Sequence, residues 1–159
     1  MATHFYGEQA SGHRALRRGR TSIPGQTYLI RFTTYQRERL FEASDCASLV
    51  SRSLHALELW KETTLLAWTV MPDHLHLLVT LSHADTLQGV VQKVKSNTAR
   101  ELKSHDLGLG QVWARAFHDR ALRWDEDVRS VARYLVLNPV RAGLVSRVGD
   151  YPYWNAVWL

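Results

Sequence analysis

The alternation of apolar and polar positions predicts four strands along the chain. Residues 26–34 alternate, with one apolar face and one mixed face, which is typical of a strand that covers a core on one side. Residues 65–70 are apolar on both faces, as expected of a central strand. Residues 74–81 form the next strand after a short turn, so we expect these two strands to pair as a hairpin. A final strand is expected within residues 112–123.

Apolar residues at helical spacing predict three amphipathic helices. The first covers residues 45–61, with Ser44 or Asp45 as its cap. The second covers residues 86–103 and carries a basic outer surface. The third begins at the acidic residues 125–127 and is ended by the Asn138-Pro139 pair, because a residue before proline is disfavoured in a helix.

The order of these elements predicts an α+β fold of ferredoxin-like type. Strand, helix, strand, strand, helix and strand make an antiparallel sheet with two helices on one face. The other face of the sheet would be bare. The third helix, which carries a tyrosine, is the natural element to lie across that face.

Length and composition are typical of one globular domain. The 159 residues predict a single domain at 26–159, preceded by a basic arm at 1–25 that a Pro-Gly pair closes. The single cysteine, Cys46, cannot form an internal disulfide, which suits a reducing compartment. No apolar run reaches the length of a membrane span, so we expect no membrane partner and a cytoplasmic, nucleoid-associated location.

The chain is basic, with a net charge of +5 and a sequence pI near 9.7. This balance favours a polyanionic partner. The charge is concentrated near the N-terminus, where residues 11–20 hold four arginines and no acid. A solvated basic tail is the alternative interpretation of this segment. The four arginines are Arg14, Arg17, Arg18 and Arg20.

Two histidines alternate along the third predicted strand. His74 and His76 project from the bare face of the sheet, whereas Leu75 and Leu77 project into the core under the two helices. Two neutral imidazoles placed side by side can share one divalent cation. A chance His-x-His pair is the alternative. However, burying two polar side chains in a strand flanked by apolar runs costs free energy unless they have a partner.

Three classes of enzyme use alternating histidines. A histidine-triad hydrolase needs a third alternating histidine, but Leu78 occupies that position. A two-histidine phosphoesterase needs a second His-x-Ser/Thr strand, which the sequence lacks. The third class comprises nucleases in which a histidine pair binds a metal beside a nucleophilic tyrosine.

The third predicted helix supplies such a tyrosine. Tyr134 and Asn138 are four residues apart and therefore share one helix face. Tyr134 is the candidate nucleophile, and Asn138 is a candidate third ligand for Mg²⁺ or Mn²⁺ beside the histidine pair. A packing tyrosine and a chemically silent helix end are the alternatives. Tyr151 and Tyr153 are rival nucleophiles, although they flank a proline and resemble packing residues.

Several segments together resemble one family. The segment Met71-Pro72-Asp73-His74-Leu75-His76-Leu77-Leu78-Val79 resembles the metal motif of the single-tyrosine HUH transposases. Residues 132–145, with the sequence ARYLVLNPVRAGLV, resemble the tyrosine-helix signature of the REP-associated tyrosine transposases. The similarity covers nearly all of residues 13–159. Shorter matching segments lie at 15–20, 112–113, 117–120 and 151–154.

This resemblance implies a metal-dependent enzyme that nicks and rejoins single-stranded DNA at palindromic hairpins through a 5′-phosphotyrosine. It implies Tyr134 as nucleophile, His74 and His76 as metal ligands, and Asn138 as a polar third ligand. Single-stranded or hairpin DNA would be the partner, and a monomer is expected, with a homodimer as the alternative. The expected DNA contacts are Arg14, Arg17, Arg18, Arg20, Lys93, Lys95, His118, Arg123 and Arg141.

Two alternatives remain open from the sequence. The chain can be a hairpin-binding module without turnover, although the histidines and the tyrosine are all present. It can also be a rolling-circle initiator or relaxase, although those chains usually carry additional domains. The tryptophans at 113, 124, 154 and 158 are candidates for base stacking, with core packing as the favoured interpretation.

Overall fold

The computed structural model describes residues 21–158, so the predicted contacts at Arg14, Arg17, Arg18 and Arg20 lie outside the described residues. In the described part of the chain, five strands form one sheet in the order β4-β1-β3-β2-β5, and every neighbouring pair is antiparallel. The predicted hairpin is present as β2 and β3. The strands are β1 Thr27–Thr33, β2 Thr64–Met71, β3 His74–Thr80, β4 His118–Ala121 and β5 Trp154–Ala156.

Within residues 21–158, four α-helices accompany the sheet, together with short turns of 3-10 helix. The Thr86 hydroxyl accepts a hydrogen bond from the backbone N–H of Gly89 and so begins α2. The Asp127 carboxylate accepts from two backbone N–H groups and begins α3. The helices are α1 Ser44–Ser53, α2 Leu87–Ser104, α3 Val128–Val136 and α4 Asn138–Arg141.

Each face of the sheet has its own hydrophobic cluster. On one face, Phe32, Leu75 and Leu77 are fully buried in a cluster to which α1 and α2 contribute. On the other face, Leu78 and Leu135 belong to a smaller cluster between the sheet and α3. The predicted ferredoxin-like α+β arrangement, with two helices on one face and the tyrosine-bearing helix on the other, is confirmed.

The first helix differs from its prediction at both ends. It stops at Ser53, and a 3-10 turn at Leu57–Trp60 follows. The Trp60 indole N–H donates to the carbonyl of Leu54 at 2.7 Å, which satisfies a helix-end acceptor and turns the chain away. The predicted cap was also wrong, because the capping residue is Ala43, and no side chain closes that end.

The region around the tyrosine helix also differs in detail. The helix α3 ends at Val136, and Asn138 lies in the first turn of the separate helix α4, not on α3 as expected. Proline cannot donate a backbone hydrogen bond, which explains the break between the two helices. The fifth strand was not predicted, because three residues directly after a Tyr-Pro-Tyr segment carry almost no alternation signal.

The division into an arm and a catalytic domain stays a prediction. Residues 21–25 contact the domain, since the Ser22 hydroxyl accepts from the backbone N–H of Leu87 and Gly25 donates to the carbonyl of Leu81. Gly25 adopts a positive φ of 79° at this turn, a conformation that favours glycine. Among residues 21–158, the helices are all too short or too polar to cross a membrane.

Candidate active site on the sheet face beneath α3

The histidine pair lies on the sheet face that α3 covers. His74 and His76 alternate along β3, and their Nε2 atoms face each other at 3.1 Å. The two rings meet nearly at right angles, with their centres 4.8 Å apart. Leu75 and Leu77 are fully buried on the other face, as predicted. The strand therefore presents two imidazole nitrogens to one point in space.

The electrostatic environment keeps both imidazoles neutral near pH 7. Burial lowers the pKa of His76 to about 3; the neighbouring His74, which would repel a second proton, and the charges of Arg31 and Arg141 contribute further. Burial also lowers the pKa of His74, although the Asp73 carboxylate opposes this effect. Neutral imidazole is the form that can bind a metal.

Asp73 orients the first of these histidines. Its Oδ1 lies 2.6 Å from His74 Nδ1, and its Oδ2 accepts from Arg37 Nε at 3.3 Å. Burial alone would raise the pKa of Asp73, but its contacts with His74 and Arg37 lower it overall. When the carboxylate accepts a hydrogen bond from Nδ1–H of His74, the lone pair of that ring is on Nε2 and faces His76. Sequence reasoning assigned Asp73 only to a turn, although its position directly before the histidine was an available signal.

Arg31 is a second residue that sequence reasoning missed. It lies opposite His76 on β3 and opposite His118 on β4, so the three side chains share one row across the sheet. Its charge contributes to lowering the pKa of both paired histidines. The sequence feature that could have identified Arg31 is its position on the mixed face of β1, which faces α3 in the fold.

Tyr134 is exposed and held by an arginine. Its side chain is 62% exposed, and the Arg141 guanidinium carbon lies 3.6 Å from the centre of its ring. The same guanidinium donates to Asn138 Oδ1 at 2.9 Å, and Asn138 Nδ2 donates to the carbonyl of Leu135 at 2.8 Å. Arg141 therefore contacts both the candidate nucleophile and the candidate third ligand.

A direct link connects the tyrosine helix to the histidine strand. The Thr69 hydroxyl donates to the carbonyl of Leu135 on α3 at 3.2 Å, and Thr69 lies opposite His76 in the sheet. Leu135 is almost fully buried, so this contact occurs in a packed interior. The sheet and α3 thus bring Tyr134 to the same side of the molecule as the histidine pair.

The rival tyrosines lie in a different setting. The Tyr151 hydroxyl donates to the carbonyl of Val70 at 2.6 Å. Burial, together with the neighbouring Tyr153, raises the pKa of Tyr151 to about 12. A phenol that is hydrogen-bonded and harder to ionise is a poorer nucleophile. These contacts agree with the packing interpretation of Tyr151.

The predicted DNA contacts on α2 are engaged within the protein. Lys93 forms an ion pair with Asp85 at 2.6 Å. Lys95 Nζ donates to the backbone carbonyls of Ala114, Arg115 and Ala116 at 2.7, 3.3 and 3.1 Å. Lys95 therefore holds a loop in place, whatever further role it has.

The remaining predicted contacts are distributed over the sheet edge and the turn after it. His118 is exposed on β4, in the row that contains Arg31 and His76. Arg123 forms an exposed ion pair with Asp125 at 3.3 Å, in the turn that precedes α3. Their predicted roles toward DNA, like those of Arg141 and both α2 lysines, stay predictions.

The tryptophans divide between the core and the surface. Trp113 is buried against Phe32 and Phe41, as the packing interpretation expects. Trp124 is 98% exposed in the turn before α3, so packing does not explain it. Trp158 contacts Arg129 near the described end of the chain.

Comparison with known proteins places this geometry in a family. The model of the family described as "Transposase IS200 like" matches residues 23–135. The REP-associated tyrosine transposase of Escherichia coli K12 is 34% identical over 90 residues, which cover 55% of this chain and 50% of that protein. A provisionally named REP-associated tyrosine transposase of Haemophilus influenzae is 29% identical over 94 residues, which cover 53% of each. The chain thus spans about half the length of these curated relatives.

A solved structure of a REP-associated tyrosine transposase bound to a REP hairpin shares the fold. The TM-score is 0.67 at 24% identity, and the match covers 85% of this chain and 79% of that one. The resemblance to REP-associated tyrosine transposases is therefore confirmed in sequence and in fold. Because the family model covers well over half of the sequence, the chain belongs to the IS200-like transposase family.

Proposed function

We propose that this chain is a metal-dependent single-stranded DNA endonuclease and strand transferase that acts at hairpin sequences of REP type. The observation that carries the proposal is the pair of neutral imidazole nitrogens, 3.1 Å apart, on the sheet face to which α3 brings Tyr134. The hairpin-bound relative and the basic sequence support DNA as the partner.

The donor set fits Mg²⁺ or Mn²⁺. Adjacent ligands of an octahedral ion at about 2.1 Å are about 3.0 Å apart, close to the observed separation of the two Nε2 atoms. Among residues 21–158, no group of three or more His, Cys, Asp or Glu side chains is arranged to hold a metal. Asn138, whose Oδ1 accepts from Arg141, would be the third protein ligand in this proposal. When bound, the ion offsets charge on the scissile phosphate.

Tyr134 performs the covalent step in this proposal. Its phenol oxygen attacks the phosphorus and gives its proton to a solvent water molecule as the new O–P bond forms. The P–O3′ bond breaks, the 3′-oxygen takes up a proton, and the 5′-phosphate stays on the tyrosine. Attack by a 3′-hydroxyl on this linkage runs the same steps in reverse. It releases the tyrosine and rejoins the strands without an energy cofactor. The exposure of Tyr134 gives DNA access to the phenol.

Two positively charged side chains accompany this step. Arg141 lies against the Tyr134 ring, and the charge of Arg31 acts on the histidine pair. Cationic groups placed where a phosphate must bind stabilise the developing charge of phosphoryl transfer. We propose a phosphate-contacting role for Arg31, which adds one residue to the DNA contacts expected from the sequence.

The active site belongs to one chain in this proposal. The helix α3 packs on the sheet of its own chain through Leu135 and Thr69. A monomer can therefore combine its own histidines with its own tyrosine, which agrees with the monomer expected from the sequence.

The direct test is formation of a covalent protein–DNA adduct. Purified protein is incubated in Mn²⁺ or Mg²⁺ with a labelled DNA hairpin that carries single-stranded flanks. We expect a protein–DNA adduct that stays joined during denaturing electrophoresis. The adduct should be absent in Tyr134→Phe and present in Tyr151→Phe. Hairpin binding with no nick in either metal would instead identify a binding module without turnover. Cleavage without rejoining of the hairpin flanks would favour a nickase of the initiator or relaxase type.

A further inference from the structure

The loop after β1 contains two consecutive residues in the left-handed region of backbone conformation. Gln36 has a φ of 52° and Arg37 a φ of 54°. Residues other than glycine adopt this region at a cost in free energy, because their Cβ atom comes too close to the following carbonyl oxygen. The loop begins beside the histidine pair, since the last residue of β1, Thr33, lies opposite His74 in the sheet. Backbone strain of this kind is concentrated at active sites and ligand clamps.

Thr34 holds this loop in its strained conformation. Its side chain is buried, and its hydroxyl donates to the carbonyl of Glu38 across the loop at 2.6 Å. Its backbone N–H donates to the carbonyl of Asp73 at 2.9 Å, and its own carbonyl accepts from the backbone N–H of Arg37 at 3.1 Å. The backbone, not the Arg37 side chain, therefore attaches the loop to Asp73. Replacement of that side chain should leave the loop in place.

The ion pair between Arg37 and Asp73 does not by itself account for the strain. Arg37 Nε donates to Asp73 Oδ2 at 3.3 Å, at the long end of the range for hydrogen bonds, and the Arg37 side chain is 58% exposed. An ion pair this exposed stabilises a fold by less than two left-handed residues destabilise it. Within residues 21–158, Nε is the one guanidinium nitrogen of Arg37 with a hydrogen-bond partner. Its two terminal amino groups can therefore contact a ligand.

Three elements bring arginines to the histidine pair. Arg31 lies on β1, Arg37 in the loop after it, and Arg141 on α4. The charges of Arg31 and Arg37 lower the pKa of His74, and those of Arg31 and Arg141 lower the pKa of His76. Positive charges that converge on one point from several elements attract a polyanion to that point. Arg37 thus belongs to the electrostatic surroundings of the site.

We propose that Arg37 connects the metal site to the DNA: its Nε positions Asp73, and its terminal amino groups contact a backbone phosphate. This inference rests on the proposed function. Asp73 lies between Arg37 and His74 Nδ1, so a fixed Asp73 also fixes the direction of His74 Nε2. The planar guanidinium of arginine has donors on more than one edge, so that it can engage a carboxylate and a phosphate together. Lysine or glutamine cannot replace both contacts.

The test measures two quantities separately. Calorimetric titration with Mn²⁺ in the absence of DNA reports on the positioning of the histidines. Binding of a labelled DNA hairpin in EDTA, repeated over a range of salt concentrations, reports on phosphate contacts without cleavage. The variants are Arg37→Ala and Arg37→Gln. The matched control is Arg39→Ala, which removes an exposed arginine of the same loop that pairs with Glu42. Thermal unfolding followed by circular dichroism verifies that each variant is folded.

We expect Arg37→Ala to bind Mn²⁺ about tenfold more weakly, as is typical when support of a metal ligand is lost. Its logarithmic slope of DNA affinity against salt should also be smaller by about 0.7–0.9, the contribution of one phosphate. Arg37→Gln should retain more of the Mn²⁺ affinity, because its amide can still donate to Asp73, but should lose the same part of the salt slope. Arg39→Ala should match the wild type in both measurements.

Unchanged Mn²⁺ affinity or an unchanged salt slope in Arg37→Ala would overturn the proposal. A wild-type salt slope in Arg37→Gln, or equal losses in Arg39→Ala, would do the same, because the effects would then not belong to the charge and position of Arg37. If the wild-type protein shows both effects of Arg37 but forms no covalent adduct with DNA, the proposed function fails while the role of Arg37 stands.

Discussion

The Arg141 guanidinium carbon lies 3.6 Å from the centre of the exposed Tyr134 ring, and the same guanidinium donates to Asn138 Oδ1. A single side chain therefore fixes the relation between the candidate nucleophile and the candidate third ligand. Residue type and sequence position alone would identify Arg141 only as a basic residue near a helix end, and hence as a general DNA contact.

Replacement of Arg141 should slow the covalent step more than it weakens DNA binding. We expect Arg141→Ala to lower the single-turnover rate of adduct formation about tenfold at saturating DNA, since loss of an exposed cation–π contact and a charged hydrogen bond is worth about 1.4 kcal/mol. Arg141→Lys should restore part of the rate, because lysine keeps the charge without the planar stacking group. Arg133→Ala, on the exposed side of α3, is the control. An affinity loss with an unchanged rate would make Arg141 a DNA contact instead.

Replacement of Asp73 should weaken metal binding. Asp73 accepts the Nδ1 proton of His74, and loss of such a partner typically lowers metal affinity by about 10–100-fold. We expect Asp73→Ala to show this loss in a calorimetric titration with Mn²⁺, without DNA. Asp150→Asn, which alters an exposed ion pair with Arg147, should bind Mn²⁺ as the wild type does. Equal affinities in all three proteins would show that Asp73 has no part in orienting the ligand.

A mixing experiment should establish that each chain uses its own tyrosine. His76→Ala retains the nucleophile, and Tyr134→Phe retains the histidine pair. Because α3 packs on its own sheet through Leu135 and Thr69, we expect a mixture of the two variants to form no adduct. Adduct formation in the mixture, to a substantial fraction of the wild-type level, would mean that the helix serves a partner chain.

The stability of the fold should depend on Tyr151 at high pH. Its pKa is raised from about 10 to about 12, so the folded state favours the neutral phenol. A group of this kind contributes stability that is fully present below about pH 10 and is lost as the pH rises through about 12. We expect the free energy of unfolding, measured with urea, to fall more steeply over this range in the wild type than in Tyr151→Phe. Parallel profiles would count against burial of the Tyr151 phenol as the cause.

Much of the fold was predictable because its signals are local. The alternation over β1 and the doubly apolar β2 gave strand bounds within a residue or two of those observed. The first helix was overextended, because Leu57 continues the apolar spacing of α1 although its side chain is 82% exposed. A 3-10 turn that places Leu59 in the core has nearly the same pattern of apolar positions as a further helical turn.

The site was predictable only where one element carries its residues. His74 and His76 share a face because they alternate on one strand, and sequence spacing alone states this. Arg31 joins them through the register between β1 and β3, which no local pattern determines. The contact of Asp73 with His74 depends on the rotamer of His74. The contact between Arg141 and Tyr134 depends on the break between α3 and α4. The strand register and the break between the helices arise from tertiary packing, which is why the sequence did not reveal the roles of Arg31 and Arg141.

The proposed function depends above all on Tyr134 as the residue that forms the bond to DNA. Mass spectrometry addresses this bond, after the protein has reacted with a hairpin substrate in Mn²⁺ and both protein and DNA have been digested. We predict one modified peptide, with a 5′-phosphonucleotide on Tyr134. A nucleotide on Tyr151 or Tyr153, or cleaved DNA with no modified tyrosine, would contradict the assignment of Tyr134 as the nucleophile.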